Sequence, residues 1–81
     1  MKAIQTRVHS PGHNTPARIT AFDCDGNRVS VTDGQAEARG LSLYSEAGAR
    51  FAARQLCRKM GWKGRLACGW TRAGHVFVFV D

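Results

Sequence analysis

The 81-residue chain has no apolar run long enough to cross a bilayer, since its longest, VFVFV, covers only residues 76–80. No hydrophobic stretch follows the N-terminal MKAIQTRV, so we expect no signal peptide. Cysteine is scarce: Cys24, Cys57 and Cys68 cannot all pair, and none stands in a Cys-x-x-Cys spacing. We therefore expect reduced thiols in a cytoplasmic protein with neither a membrane span nor a disulfide framework.

The chain also lacks the length for a second hydrophobic core, and it carries no recognisable catalytic motif. Its 43% hydrophobic and 22% charged residues are proportions typical of a folded globular protein. We expect one small domain over residues 1–81, with no enzymatic activity and no cofactor.

Metal-ligand and nucleophile patterns are weak. His9 and His13 stand four apart in a loop with proline and glycine, where no helix aims both rings at one ion. Nothing marks a low-pKa thiolate, so a cysteine nucleophile paired with His75 has even less support. We expect no metal site, and the sequence leaves the role of the His9–His13 loop open.

Acidic residues are nearly missing from the second half of the chain. Five bases and five acids balance up to Glu46, whereas seven bases face only Asp81 from Ala47 onward. The whole net charge of +6 thus lies in one half. This segregation is typical of a protein that meets phosphates or an acidic protein surface.

Alternation of apolar and polar residues predicts five strands. Three lie at residues 2–8, 17–22 and 28–31, with Asp25-Gly26 suited to a tight hairpin turn between the last two. Two more lie at residues 65–70 and 75–80. Between these groups, residues 32–44 contain Gly34 and Gly40 and have no sustained period, so we expect a long connection there.

One helix is predicted after this connection. Ser45 is placed to cap it, and Gly61 suits the left-handed position that ends a helix. Its apolar stripe comprises Ala49, Ala52, Ala53, Leu56, Cys57 and Met60. The order β-β-β-α-β-β predicts an α+β domain in which a single antiparallel sheet packs against this one amphipathic helix.

The last predicted strand is apolar on both sides, with valines on one side and Phe77 and Phe79 on the other. A strand of this kind needs cover on both faces. The cover is the long connection, the N-terminal loop, a ligand or a second copy, and one interpretation is a homodimer through the face bearing Phe77 and Phe79. Core or dimer packing of these two rings is favoured over stacking on RNA bases.

The polar side of the helix is basic and includes Phe51 among its arginines. Arg54 and Arg58 stand three and seven residues after Phe51 and therefore flank it. Such a surface suits a phosphate backbone with a stacked base, or an acidic protein partner with an aromatic anchor. The simpler alternative is a solvated helix face with Phe51 covered by Leu41, Leu43 or Tyr44.

Four segments of the chain, MKAIQTR, NTPARITAFDCDG, AARQLCRKMGWKGRL and GHVFVFV, resemble a group of short, uncharacterised proteins encoded by phages, prophages and mobile elements. The similarity covers both ends of the chain and does not extend across residues 33–44. The group has no assigned activity, so no site residue carries over. The resemblance implies a mobile-element setting, in which small proteins often bind nucleic acid or block a host nucleoprotein complex of the CRISPR type.

We therefore expect a non-enzymatic binding protein that contacts nucleic acid or a host nucleoprotein complex through its basic helix. The alternative is an anti-CRISPR-like inhibitor that docks the same face on an acidic surface of a host defence protein. The residues expected to make the contact are Arg50, Phe51, Arg54, Arg58, Lys59, Trp62, Lys63, Arg65 and Arg72.

Overall fold

A computed structural model describes residues 3–12, 16–72 and 74–80. Its elements are β1 Ala3–His9, β2 Arg18–Phe22, β3 Arg28–Thr32, α1 Asp33–Glu37, α2 Glu46–Met60, β4 Arg65–Thr71 and β5 Gly74–Val80. The predicted α+β class, with one antiparallel sheet and one main helix, is confirmed. No helix within these ranges is long and apolar enough to span a membrane.

The strand order in the five-stranded sheet is β3-β2-β1-β5-β4, so β1 lies at the centre. It pairs antiparallel with β2 on one side and with β5 on the other. Gln5 is opposite Phe22 in β2 and opposite Val76 in β5. Since directly opposed residues project to the same side of a sheet, this register decides which side chains share a face.

One face of the sheet forms the core together with α2. The predicted inward positions of the first strand are confirmed, because Ile4 and Thr6 are buried. Behind them the core contains Ile19, Ala21, Val31, Ala36, Leu43, Ala49, Ala52, Ala53, Leu56, Leu66 and Phe77. The small alanines along α2 let the helix lie close to the sheet, where larger side chains would hold it away.

Both ends of α2 match the prediction. The Ser45 hydroxyl accepts a hydrogen bond from the Gly48 amide over 3.1 Å. At the other end Gly61 is left-handed, with φ of 74°, and the Trp62 amide donates to the Cys57 carbonyl over 2.9 Å. These bonds satisfy main-chain groups that a helix end otherwise leaves to water.

The prediction of a long connection over residues 32–44 is wrong at its start, where the short helix α1 forms. Thr32 caps it: the Gln35 amide donates to the Thr32 hydroxyl, and the Gln35 side chain accepts from the Thr32 amide. This reciprocal pair is a capping box. The helix places Ala36 in the core beside β3.

Phe77 and Phe79 lie on the face that α2 covers. Phe77 is fully buried, and the half-buried Phe79 meets the Trp62 ring edge-on at a centroid distance of 6.1 Å. Core packing of these rings is therefore confirmed. Because Phe77 is buried, its ring is not accessible to a second copy, and the homodimer through this face stays a prediction.

The opposite face of the sheet, here named the open face, is not covered by α1 or α2. On β5 it carries Val76 and Val78, both half-buried, and the more exposed Val80. Basic side chains share this face on β1, β2 and β3. The valine side of β5, which the sequence predicted to need cover, is thus part of a surface that is both basic and apolar.

The helical glycines Gly48 and Gly34 differ in the space around them, so alanine at each position has a different effect on stability. A methyl group added at Gly48 would overlap the Ser42 carbonyl oxygen, whereas one added at Gly34 meets no atom within 4 Å. Gly48→Ala should lower the free energy of unfolding by about 2 kcal/mol, since the backbone of Ser42 must move. Gly34→Ala, the matched control, should raise it by about 0.5 kcal/mol. Urea denaturation measures both changes, and equal effects would contradict the described approach of Ser42 to α2.

Candidate functional site

The basic residues of α2 reach the sheet on two different sides of the helix. Arg50 and Arg54 extend toward the edge strand β4, where their Nη1 atoms donate to the carbonyls of Leu66 over 2.9 Å and Gly64 over 2.8 Å. On the other side, the Lys59 ammonium donates to the Arg28 carbonyl in β3 over 3.0 Å. The predicted basic patch is therefore partly engaged in holding the helix on the sheet.

Arg50 has the largest number of such contacts. Besides its bond to Leu66, it forms an ion pair with Glu46 at 3.4 Å, and its guanidinium carbon lies 5.2 Å from the centroid of the Phe77 ring. A cation over a buried aromatic ring is stabilising in addition to the hydrogen bond. Arg50 is thus a structural contact between helix and sheet.

A cleft of about 420 Å³ opens between α1, α2 and β3. It is lined by Val29, Ser30, Val31, Gln35, Ala38, Arg39, Phe51, Gln55 and Arg58. Alternate β3 residues form an apolar base, α1 contributes Gln35, α2 contributes Gln55 and Arg58, and Arg39 comes from the turn after α1. No carboxylate is among these lining residues, so the charge of the lining is positive.

Phe51 lies in this cleft and is half-buried, between the two predicted alternatives of a covered and an exposed ring. The ring packs against the core. Arg39 lies over the ring, with its guanidinium carbon 5.2 Å from the centroid. Tyr44, one of the residues expected to cover Phe51, is itself 65% exposed.

Arg39 is the site residue that sequence reasoning missed. It follows α1 within the segment predicted as a long connection, so no feature of the predicted fold indicated that its side chain lies beside Phe51. The Thr32–Gln35 capping box was the available signal, because it fixes the start of α1 and brings the next turn over α2.

The remaining predicted residues do not join this cleft. Trp62 is half-buried against Phe79. Lys63 and Arg65 are exposed at the start of β4, and Arg72 is exposed in the turn before β5. Since β4 and β3 form opposite edges of the sheet, these bases lie four strands away from the cleft, about 19 Å.

The described histidines and cysteines do not form a metal-binding group. His9 is half-buried on β1, while His13 lies outside the described residues. In the ranges that the structure describes, no group of three or more His, Cys, Asp or Glu residues is placed to hold a metal ion. Burial raises the pKa of the Cys57 and Cys68 thiols, and the Glu46 carboxylate raises that of Cys68 further. Both therefore remain protonated at neutral pH.

Comparison with known proteins adds no family or relative. No protein-family model, no curated protein and no solved structure matches the chain.

The two arginine environments on α2 predict different effects on stability. Arg50→Gln removes a guanidinium that bonds Leu66 and covers Phe77, so it should lower the free energy of unfolding by about 1–2 kcal/mol. Arg58→Gln, the matched control at an exposed position, should change it by less than about 0.5 kcal/mol. Urea denaturation followed by circular dichroism measures both, and an unchanged midpoint for Arg50→Gln would show that its contacts are not structural.

Proposed function

We propose that the protein is a non-enzymatic binding protein whose cleft contacts the phosphates of a nucleic acid or a nucleoprotein. One observation carries the proposal: Phe51 is accessible in a cleft that also contains the guanidinium groups of Arg39 and Arg58 and no carboxylate.

Each part of the cleft matches a chemical feature of nucleic acid. Planar guanidinium groups bind phosphate oxygens with two parallel hydrogen bonds. A base of any identity stacks on the accessible part of the Phe51 ring by displacing the Arg39 guanidinium that lies over it. The side-chain amides of Gln35 and Gln55 supply donors and acceptors for sugar or base edges. These features support binding and contribute no nucleophile or acid–base pair.

The surroundings of the cleft also favour an anion. Glu46, in the first turn of α2, pairs with Arg50. Asp33 and Glu37 belong to α1 but do not line the cleft. The resemblance to phage and mobile-element proteins stays a prediction, and a host nucleoprotein would present the same phosphates to the cleft.

The dependence of affinity on salt tests this proposal. For a duplex or single-stranded oligonucleotide, the logarithm of the association constant should fall linearly with the logarithm of salt concentration. Arg58→Gln should reduce the magnitude of this slope by about one unit, because one phosphate contact is lost. Arg58→Lys, the charge-conserving control, should keep the slope while weakening binding, because ammonium cannot form the paired hydrogen bonds. Fluorescence anisotropy measures all three proteins.

Salt-independent binding, or binding to no DNA or RNA, would overturn the proposal. One observation would then favour a protein partner at a surface other than the basic helix face of the inhibitor alternative. Trp70 is 80% exposed on β4, with its ring 5.5 Å from that of His75, and exposed tryptophan is a frequent anchor in protein interfaces. A host protein that wild type captures from nuclease-treated lysate and Trp70→Ala does not would identify such a partner.

A further inference from the structure

The open face of the sheet carries a second basic surface, formed by the three N-terminal strands. The register places Arg7 of β1, Arg18 of β2 and Arg28 of β3 on this face, together with Phe22. Within the described part of the chain, their guanidinium groups make no hydrogen bond or ion pair. No strand position on this face is occupied by aspartate or glutamate.

Phe22 lies at the end of β2 beside the turn to β3, and Arg18 lies at the other end of β2. Arg28 is directly opposite Phe22 on β3, and Arg7 is its diagonal neighbour on β1, two residues after Gln5. Such neighbours have Cβ atoms about 5 Å and about 8 Å from that of the ring residue. A cleft of about 290 Å³ surrounds the half-buried ring, and its lining comprises Arg7, His9, Thr20, Phe22, Asp23, Gly26 and Arg28.

Asp23 is the one acid in this lining, and the hairpin turn holds it. Its carboxylate accepts hydrogen bonds from the Asp25 amide over 3.0 Å, the Asn27 amide over 2.9 Å and the Asn27 side chain over 2.9 Å. The residue is only 5% exposed. Because these three bonds orient the carboxylate toward the turn, the accessible charge around Phe22 is positive.

The charge distribution distinguishes between occupants of the open face. A second copy seated there in a symmetric dimer would bring two sets of arginines together with no carboxylate from the strands between them. A polyanion supplies the missing charge. The aromatic ring between two guanidinium groups further favours a polyanion that carries planar bases.

The shape of the face distinguishes single-stranded from double-stranded ligands. Five strands make a surface roughly 24 Å wide, about twice the width of the major groove of B-DNA, so the sheet cannot enter a duplex. Bases stacked inside a duplex do not reach Phe22, whereas the bases of a single strand do.

We propose that the open face binds single-stranded nucleic acid, with a base stacked on Phe22 and phosphates on Arg7, Arg18 and Arg28. This site lies on the opposite side of the sheet from the cleft and does not depend on it. Phe77 and Phe79 face the helix, whereas Phe22 lies on the open face.

Fluorescence anisotropy with a labelled strand of about twelve thymidines tests the proposal. Phe22→Leu keeps an apolar side chain but removes the stacking surface, so the affinity should fall about tenfold. Tyr44→Leu, the matched control at another accessible aromatic residue, should leave it unchanged. Arg28→Gln changes an exposed side chain without altering packing, and it should weaken binding even if Phe22→Leu lowers stability. A duplex of the same sequence should be insensitive to Phe22→Leu.

Arg58→Gln separates this inference from the proposed function of the cleft. Loss of single-strand binding in Phe22→Leu but not in Arg58→Gln would support the open face alone. Loss in Arg58→Gln, with wild-type affinity in both Phe22→Leu and Arg28→Gln, would overturn this inference and leave the cleft proposal intact. A wild-type protein that binds duplex but no single strand would also overturn it.

Discussion

The structure depends on the pairing of β1 with both of its neighbours. This strand joins the N-terminal hairpin of β2 and β3 to the C-terminal hairpin of β4 and β5. Where the regular pairing with β5 ends, the Thr6 hydroxyl donates to the His75 carbonyl over 3.1 Å and accepts from the His75 amide over 3.2 Å. Gly74 lies so close to the Thr6 carbonyl oxygen that no side chain fits there. A slip by one residue would break these contacts and turn Ile4 toward solvent.

This register also determines where the charge is displayed. The side chains on the inward face of the sheet pack against α2. Three basic residues of that helix, Arg50, Arg54 and Lys59, hold it in place by donating hydrogen bonds to main-chain carbonyls in or next to the sheet. The outward positions of β1, β2 and β3 receive arginines without carboxylates between them. Two basic surfaces result, and β3 belongs to both, because Val29 and Val31 line the cleft while Arg28 faces the open side. The arginines of the open face belong to the N-terminal half of the sequence, where bases and acids balance, so the segregation of charge along the sequence does not indicate this surface.

Local patterns predicted the elements well where one short segment contains the whole signal. The alternation around Ile4, the turn at Gly26 and the caps at Ser45 and Gly61 are all of this kind. The helix α1 was missed because Gly34 interrupts a segment only one turn long, and the capping interaction of Thr32 with Gln35 outweighs that glycine. To predict that the Phe77 side of β5 packs against α2, one must know the order of the strands in the sheet, and no local sequence pattern contains that order. For the same reason the structural use of Arg50 was not predictable, and for Arg39 the capping box indicates the start of α1 but not the contact with Phe51.

The most direct test of this account is a map of amide chemical shifts by NMR during titration with a single-stranded oligonucleotide at low and at moderate salt. The account predicts shifts around Phe22 and Arg28 on the open face and around Phe51 and Arg58 in the cleft. Both sets should diminish as salt rises, because phosphate contacts supply the affinity. Absence of shifts at low salt, or shifts confined to the β4–β5 hairpin around Trp70, would contradict it.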